Sequence, residues 1–184
     1  MKGPEKLVGE RIVLRKAQMS DLDPVYENIY RDEELLSTTF ITVTKDKTEA
    51  EARLKRTVEW QKERMLYFVT LKETDEVIGL GGMMEESEGV WSEGGLVIAR
   101  KYQGRGYGKE LLSILLEYAF GAAGVKTFAY YCMDFNVRSA GLAKSFGFEY
   151  DSTSEEIRKY DQKKFNVQRY LLTREKYEEM RKKK

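Results

Sequence analysis

The segment Gln103-Gly104-Arg105-Gly106-Tyr107-Gly108-Lys109 carries the residue types best suited to chemistry. It joins an apolar run, Leu96-Val97-Ile98, to a stretch that reads as a helix. Glycines let a backbone turn tightly and approach a ligand closely. The first N–H groups of the following helix, at the positive end of its dipole, form a ready seat for a diphosphate. Arg100, Lys101, Arg105 and Lys109 concentrate positive charge here, in a chain whose 32 Lys plus Arg almost balance 31 Asp plus Glu. A polyanionic ligand is therefore expected, against the plainer reading of a glycine-rich turn that binds nothing. Two common phosphate loops do not fit. A Walker loop needs glycine where Gln103 stands and Ser or Thr where Glu110 stands, and a dinucleotide fingerprint counted from Gly104 needs glycine at Lys109.

Composition narrows the remaining chemistry. The chain of 184 residues has no histidine and one cysteine, Cys132. Ser-His-Asp and Cys-His nucleophile systems, zinc hydrolases and histidine bases are thereby excluded, as are disulfide frameworks and multi-cysteine zinc sites. Acid–base work falls to carboxylates, tyrosines, lysines, the thiol, hydroxyls or water. Glu93, on the apolar strand that leads into the loop, is the leading base candidate, although a solvent-facing strand carboxylate reads equally well. The balanced charge offers nothing to recruit nucleic acid. No apolar run approaches the ~20 residues of a membrane span, and Met1 to Glu10 lacks a signal-peptide core. A reducing, cytoplasmic setting is expected.

The elements around the loop read as one domain over residues 1–184, with 1–8 and 179–184 frayed. Residues 11–15 read as a first strand. Ser20 with Asp23, and Thr48 with Glu51, resemble the starts of two helices. Strands are expected at 66–71, 77–84 and 90–98, joined by hairpin turns. A helix over 106–122 then leads to a strand over 128–133, and Asn136 is a good N-cap for a helix that Gly147 ends. Residues 148–150 and 165–173 close the sheet. Strand–helix–strand around 106–122 requires one parallel pair in a sheet that is otherwise antiparallel.

The spacing Gln103-x-x-Gly106-x-Gly108 resembles the Gln/Arg-x-x-Gly-x-Gly/Ala signature of the GNAT acyltransferases. Asn136-Val137-Arg138-Ser139 is similar to the Asn-x-x-Ser helix start that follows it in that superfamily, and Phe146-Gly147-Phe148 to the Gly-Phe strand beyond. Glu10 to Arg15 with Asp21, and Asn166 to Glu175, resemble the ribosomal-protein N-terminal acetyltransferase branch. The likeness spans roughly residues 9–178. It implies an α/β fold: a mixed, mostly antiparallel sheet of about seven strands, splayed near the middle and flanked by about four helices.

The same resemblance implies acetyl-CoA as co-substrate, an amine acceptor and no metal. The N–H groups of Gln103, Gly104, Arg105, Gly106, Tyr107, Gly108 and Lys109 would hold the diphosphate. Backbone groups of Leu96, Val97 and Ile98 would pair with the pantetheine arm like an added strand. An N–H near Val97 or Ile98 would serve as oxyanion donor, and Asn136 would contact the coenzyme arm while capping its helix. The tyrosine that many members carry seven residues after the asparagine is Ala143 here, leaving Ser139 or water to serve the leaving sulfur.

The preferred acceptor is a protein or peptide N-terminal α-amine. Neutralising an α-amine at pH 7 costs roughly 1 kcal/mol, whereas a lysine-like amine costs roughly 4.6. A polyamine or other small amine is the second reading, and a CoA-binding regulatory module without turnover the third. Glu85, Glu86, Glu88 and Glu93 either form an acidic mouth or are solvated hairpin charges. The exposed closing strands leave room for a homodimer.

Overall fold

A computed structural model describes residues 3–182. Its strands are β1 (Lys6–Val8), β2 (Ile12–Arg15), β3 (Met65–Leu71), β4 (Val77–Ser87), β5 (Val90–Glu93), β6 (Val97–Ile98), β7 (Thr127–Met133), β8 (Glu149–Ile157) and β9 (Lys164–Thr173). Its helices are α1 (Leu22–Val25, running on through a π turn at Tyr26–Tyr30), α2 (Glu33–Ser37) and α3 (Lys47–Trp60), then α4 (Tyr107–Glu117, continued by a π turn at Tyr118–Ala122), α5 (Val137–Ser145) and α6 (Arg174–Lys182). The strands form one sheet in the order β1-β2-β3-β4-β5-β7-β9-β8, with β6 beside β4. Among the described residues only β5 and β7 pair in parallel, joined by the α4 crossover.

Apolar side chains on the two faces make two cores. Leu111, Leu112 and Leu115 of α4 pack with Phe128, Tyr130 and Phe148 on one face. On the other, Val25, Ile29, Leu36 and Leu54 from α1, α2 and α3 pack with Phe68, Val77 and Val97. The middle of the sheet is thus covered on both sides, whereas every residue of β8 is exposed.

Several boundaries differ from the sequence reading. The first helical segment starts a turn early, because Asp21 accepts from the Gln18 N–H at 2.8 Å and pairs with Arg15 at 2.7 Å, while Asp23 is exposed and bound to Lys47. Asp46, not Thr48, caps α3: it accepts from the Glu49 N–H at 2.8 Å, and Glu49 accepts from the Lys45 N–H at 2.9 Å. The last hairpin is longer than expected, since β8 runs on to Ile157.

The most consequential difference lies at residues 90–98, which are two strands rather than one. Met83 pairs with Glu93 and Leu80 with Val97, so Gly94, Gly95 and Leu96 oppose only Gly82 and Gly81. The extra residue is a bulge, which bends the strand. Gly95 takes φ +100°, a conformation that a side chain strains. Beyond the bulge β6 stays with β4, whereas β7 follows β9, and the sheet forks.

The chain ends are also more ordered than expected. Residues 6–8 pair with β2, and residues 179–182 belong to α6; Met1, Lys2, Lys183 and Lys184 lie outside the described residues. Burial explains the second case, because Tyr177 stacks on Phe120 at 4.6 Å and is 9% exposed. Tyr177→Ala is expected to cost about 3 kcal/mol by chemical denaturation. A change of only a few tenths would mean that α6 is not part of the core.

Candidate active site

At the fork, main-chain groups that a continuous ladder would use are left facing an opening. In an antiparallel pair, opposed residues alternate between those that exchange hydrogen bonds and those that do not. Ala99 N–H donates to Ile78 O at 2.8 Å, so Val97 points its N–H at Leu80, while Ile98 and Leu96 point theirs toward the open edge. The Ile98 carbonyl confirms this orientation, since it accepts from Gln103 Nε2 at 2.9 Å. Val97 is therefore not available as an oxyanion donor. Its polar groups belong to the ladder and its side chain to the core over α1–α3.

Glu93 ends β5 at the root of the fork. Its carboxylate accepts from the Gly95 N–H and from the backbone N–H of Tyr131, the strand group that the divergence would otherwise strand. Burial pushes this carboxyl up to about 7; the two N–H donors oppose the shift, and the charge of Glu86 adds to it. A carboxyl half-ionised near neutrality can take a proton at physiological pH. Ser139, in the first turn of α5, lies beside the same fork, with its hydroxyl 2.9 Å from that of Tyr130. Asn136 caps α5 by accepting from the Ser139 N–H at 3.1 Å.

Gln103 to Lys109 lie on the turn and first residues of α4. Gly106 is the N-cap at φ +85°, and no side chain caps the helix. At the start of α4 the Glu110 N–H donates to Gly106 O at 3.1 Å, leaving the N–H groups of Tyr107, Gly108 and Lys109 for a ligand. A Cβ on Gly104 would meet nothing within 4 Å, so the approach is open. These groups fit a diphosphate.

The charge around the loop is not the set that local sequence suggested. Arg100 is bound to Asp32 and Glu34, and Lys101 to Glu76 at 3.0 Å. Arg105 and Lys109 remain exposed. Two other arginines join them. Arg138 of α5 donates to Gln103 Oε1. Arg11 donates from Nη1 to Arg105 O at 3.0 Å, lies 4.8 Å from the centre of the Tyr107 ring and pairs with Glu110 at 2.9 Å. Arg11 is 94 residues from the carbonyl that it holds, and nothing local in the sequence marks the pairing.

On the far face of β7, Tyr131 accepts from Arg169 at 2.9 Å, and Arg169 also reaches Asp151 at 3.0 Å and Glu86 at 3.3 Å. Glu86 falls in a second bulge, between Glu85 and Ser87, that re-aims its side chain. Glu85 and Glu88 are exposed. Trp91 is buried against Tyr118, and Cys132 is buried near Ser139.

The family model "Acetyltransferase (GNAT) domain" matches residues 11–149. The chain belongs to the GNAT acetyltransferase family, whose members are acyltransferases. An N-acetyltransferase called p20 from Bacillus licheniformis is 26% identical over 178 residues, covering 94% of this chain and 98% of that protein. A GNAT-family acetyltransferase from Bacillus anthracis superposes with TM-score 0.80 at 17% identity, over 92% of this chain and 99% of the other. RimL, a ribosomal alpha-N-protein acetyltransferase solved in complex with coenzyme A, gives TM-score 0.75 at 15% identity, over 92% and 98%.

Arg11→Ala should release the Arg105 carbonyl and loosen the loop. The expected result is a rise of about tenfold in KM for acetyl-CoA, the worth of one charge-assisted hydrogen bond, with kcat little changed. An unchanged KM in steady-state assays would show that the loop holds its shape without Arg11.

Proposed function

We propose that the chain moves the acetyl group of acetyl-CoA to a primary amine by direct attack, and that its preferred acceptor is a protein or peptide N-terminal α-amine. The observation that carries this reading is Glu93, a carboxyl raised to about 7 at the fork beside the free edge of β6. Acetyl-CoA supplies an activated thioester. The N–H groups from Gln103 to Lys109 hold its diphosphate, and Leu96 and Ile98 offer their outward groups to the pantetheine arm. The Ile98 N–H is the oxyanion donor, and Asn136 holds α5 against the arm. Glu93 takes the amine proton, directly or through one water, and Ser139 faces the leaving sulfur.

Proton affinities favour an α-amine. Transfer from an amine of pKa ~7.8 to a carboxyl near 7 is uphill by roughly 1 kcal/mol, whereas from an amine of pKa ~10.4 it is uphill by roughly 4.6. Glu86, near enough to raise Glu93, adds negative potential that suits a cationic acceptor. The likeness to RimL, named as an alpha-N-protein acetyltransferase, points the same way.

A thiol-release assay over free-amine peptides, N-blocked lysine peptides, polyamines and aminoglycosides tests the acceptor. Peptides with a free terminus should lead by at least about tenfold, the ratio that 1.4 kcal/mol buys. Preference for a polyamine would replace the acceptor. Thermal stabilisation by acetyl-CoA without thiol release from any amine would leave a binding module instead.

Glu93→Gln should lower kcat/KM by about a hundredfold, at the modest end for a lost general base. In the parent, kcat/KM should rise with pH through about 7, because only the carboxylate accepts a proton. The variant loses that limb and keeps only the ionisation of the amine, so its profile moves upward. The same profile in both proteins would remove Glu93 as base.

A further inference from the structure

The hydroxyl of Tyr130 is buried on the α4–α6 face of β7, and its residue is 3% exposed. Its hydrogen-bond partner is Ser139 Oγ, at 2.9 Å. Tyr130 follows Ala129, the last β7 residue that pairs with β5, so the hydroxyl pair stands where the strands part. Cys132, two residues along the same face, also touches the Ser139 hydroxyl and feels the charge of Glu93.

A serine hydroxyl has one proton and two lone pairs. Either hydroxyl can donate, and in the arrangement where the phenol donates to Oγ one of those lone pairs is filled. The proton of Ser139 is then free to point either at the weak acceptor Cys132 Sγ or into the fork. We infer that Tyr130 is a positioning residue, which orients the Ser139 hydroxyl as a hydrogen-bond donor to the sulfur leaving the thioester. This rests on the acetyl-transfer reading above. As the carbon–sulfur bond breaks, its electron pair goes to sulfur, and Ser139 donates a hydrogen bond to the thiolate. Solvent supplies the proton after departure, so neither hydroxyl needs to ionise. Burial and the nearby Glu93 charge raise the Tyr130 pKa, against the lowering by the Ser139 hydrogen bond, so the phenol stays protonated across the working pH range.

The test is a double-mutant cycle in the thiol-release assay, on Tyr130→Phe, Ser139→Ala and the double variant. Thermal melts with and without acetyl-CoA check that each folds and binds. Tyr130→Phe should lower kcat about tenfold with KM for acetyl-CoA unchanged. In the Ser139→Ala background, the same change should cost less than twofold, because its target is gone. Equal losses in both backgrounds, or an unchanged kcat in Tyr130→Phe, would overturn the role of Tyr130 while acetyl transfer stands. Absence of thiol release by the parent protein with every amine would overturn acetyl transfer and this role together.

Discussion

One extra residue between β5 and β6 governs the site. A straight strand through residues 90–98 would carry the parallel β5–β7 ladder onward past Ala129. The Tyr131 N–H, and the outward groups of the residues beyond Glu93, would then be spent on that ladder. The bulge at Gly94, Gly95 and Leu96 turns β6 aside and leaves these groups at an edge inside the protein. Buried polar groups without partners are costly, so such an edge persists only where something satisfies it. The Glu93 carboxylate takes the Tyr131 N–H, and the Gln103 amide takes the Ile98 carbonyl. The base candidate and the loop are thus fixed by the same break in the ladder.

The loop shows how sequence-local charge differs from charge at a site. Arg100 and Lys101 lie within three residues of Gln103 in the chain, but they tie their turn to α2 and to the start of β4. Carboxylates that neutralise them remove most of their pull on a ligand. Arg11 and Arg138 come from β2's entry and from α5, and each shapes the loop by holding a neutral group, the Arg105 carbonyl and the Gln103 amide. The proposed anion seat therefore rests on helix-end N–H groups kept in shape by distant arginines, more than on a cluster of adjacent cations.

The sheet, its one parallel pair and the helix after the loop were legible because periodicity and glycine spacing are local signals. Glu93 was singled out by its place on the strand before the loop, and Ser139 by the resemblance of Asn136 to Ser139 to the family's helix start. The split between β5 and β6 left a trace in Gly94-Gly95, since paired glycines inside a strand pattern mark a bulge, although the run had been read through as one strand. Strand parity puts Tyr130 and Tyr131 on opposite faces of β7. Choosing between them required the packing of α5, which puts Ser139 over Tyr130 and leaves Tyr131 with Arg169. Arg11 had no local signal, because its role comes from a contact across the whole first half of the chain.

A chain without histidine can still hold a group that titrates near neutrality, because burial moves a carboxyl from its ordinary 4.5 up to about 7. The shift has a sign for stability. The folded state binds the Glu93 proton more tightly than the unfolded chain, so the contribution to stability is full below about 4.5 and is lost as pH rises through about 7. The form that can accept a proton is thus the form that the fold tolerates least. That opposition agrees with the proposed base role, whereas a purely structural carboxylate would gain more from a cationic partner, as Asp21 does from Arg15. Among the described residues no such cation is bonded to Glu93, whose donors are two neutral N–H groups and whose charged neighbour is Glu86. A fixed cation there would lower the carboxyl out of the neutral range and, by its own charge, repel an ammonium acceptor; the all-amide cradle avoids both.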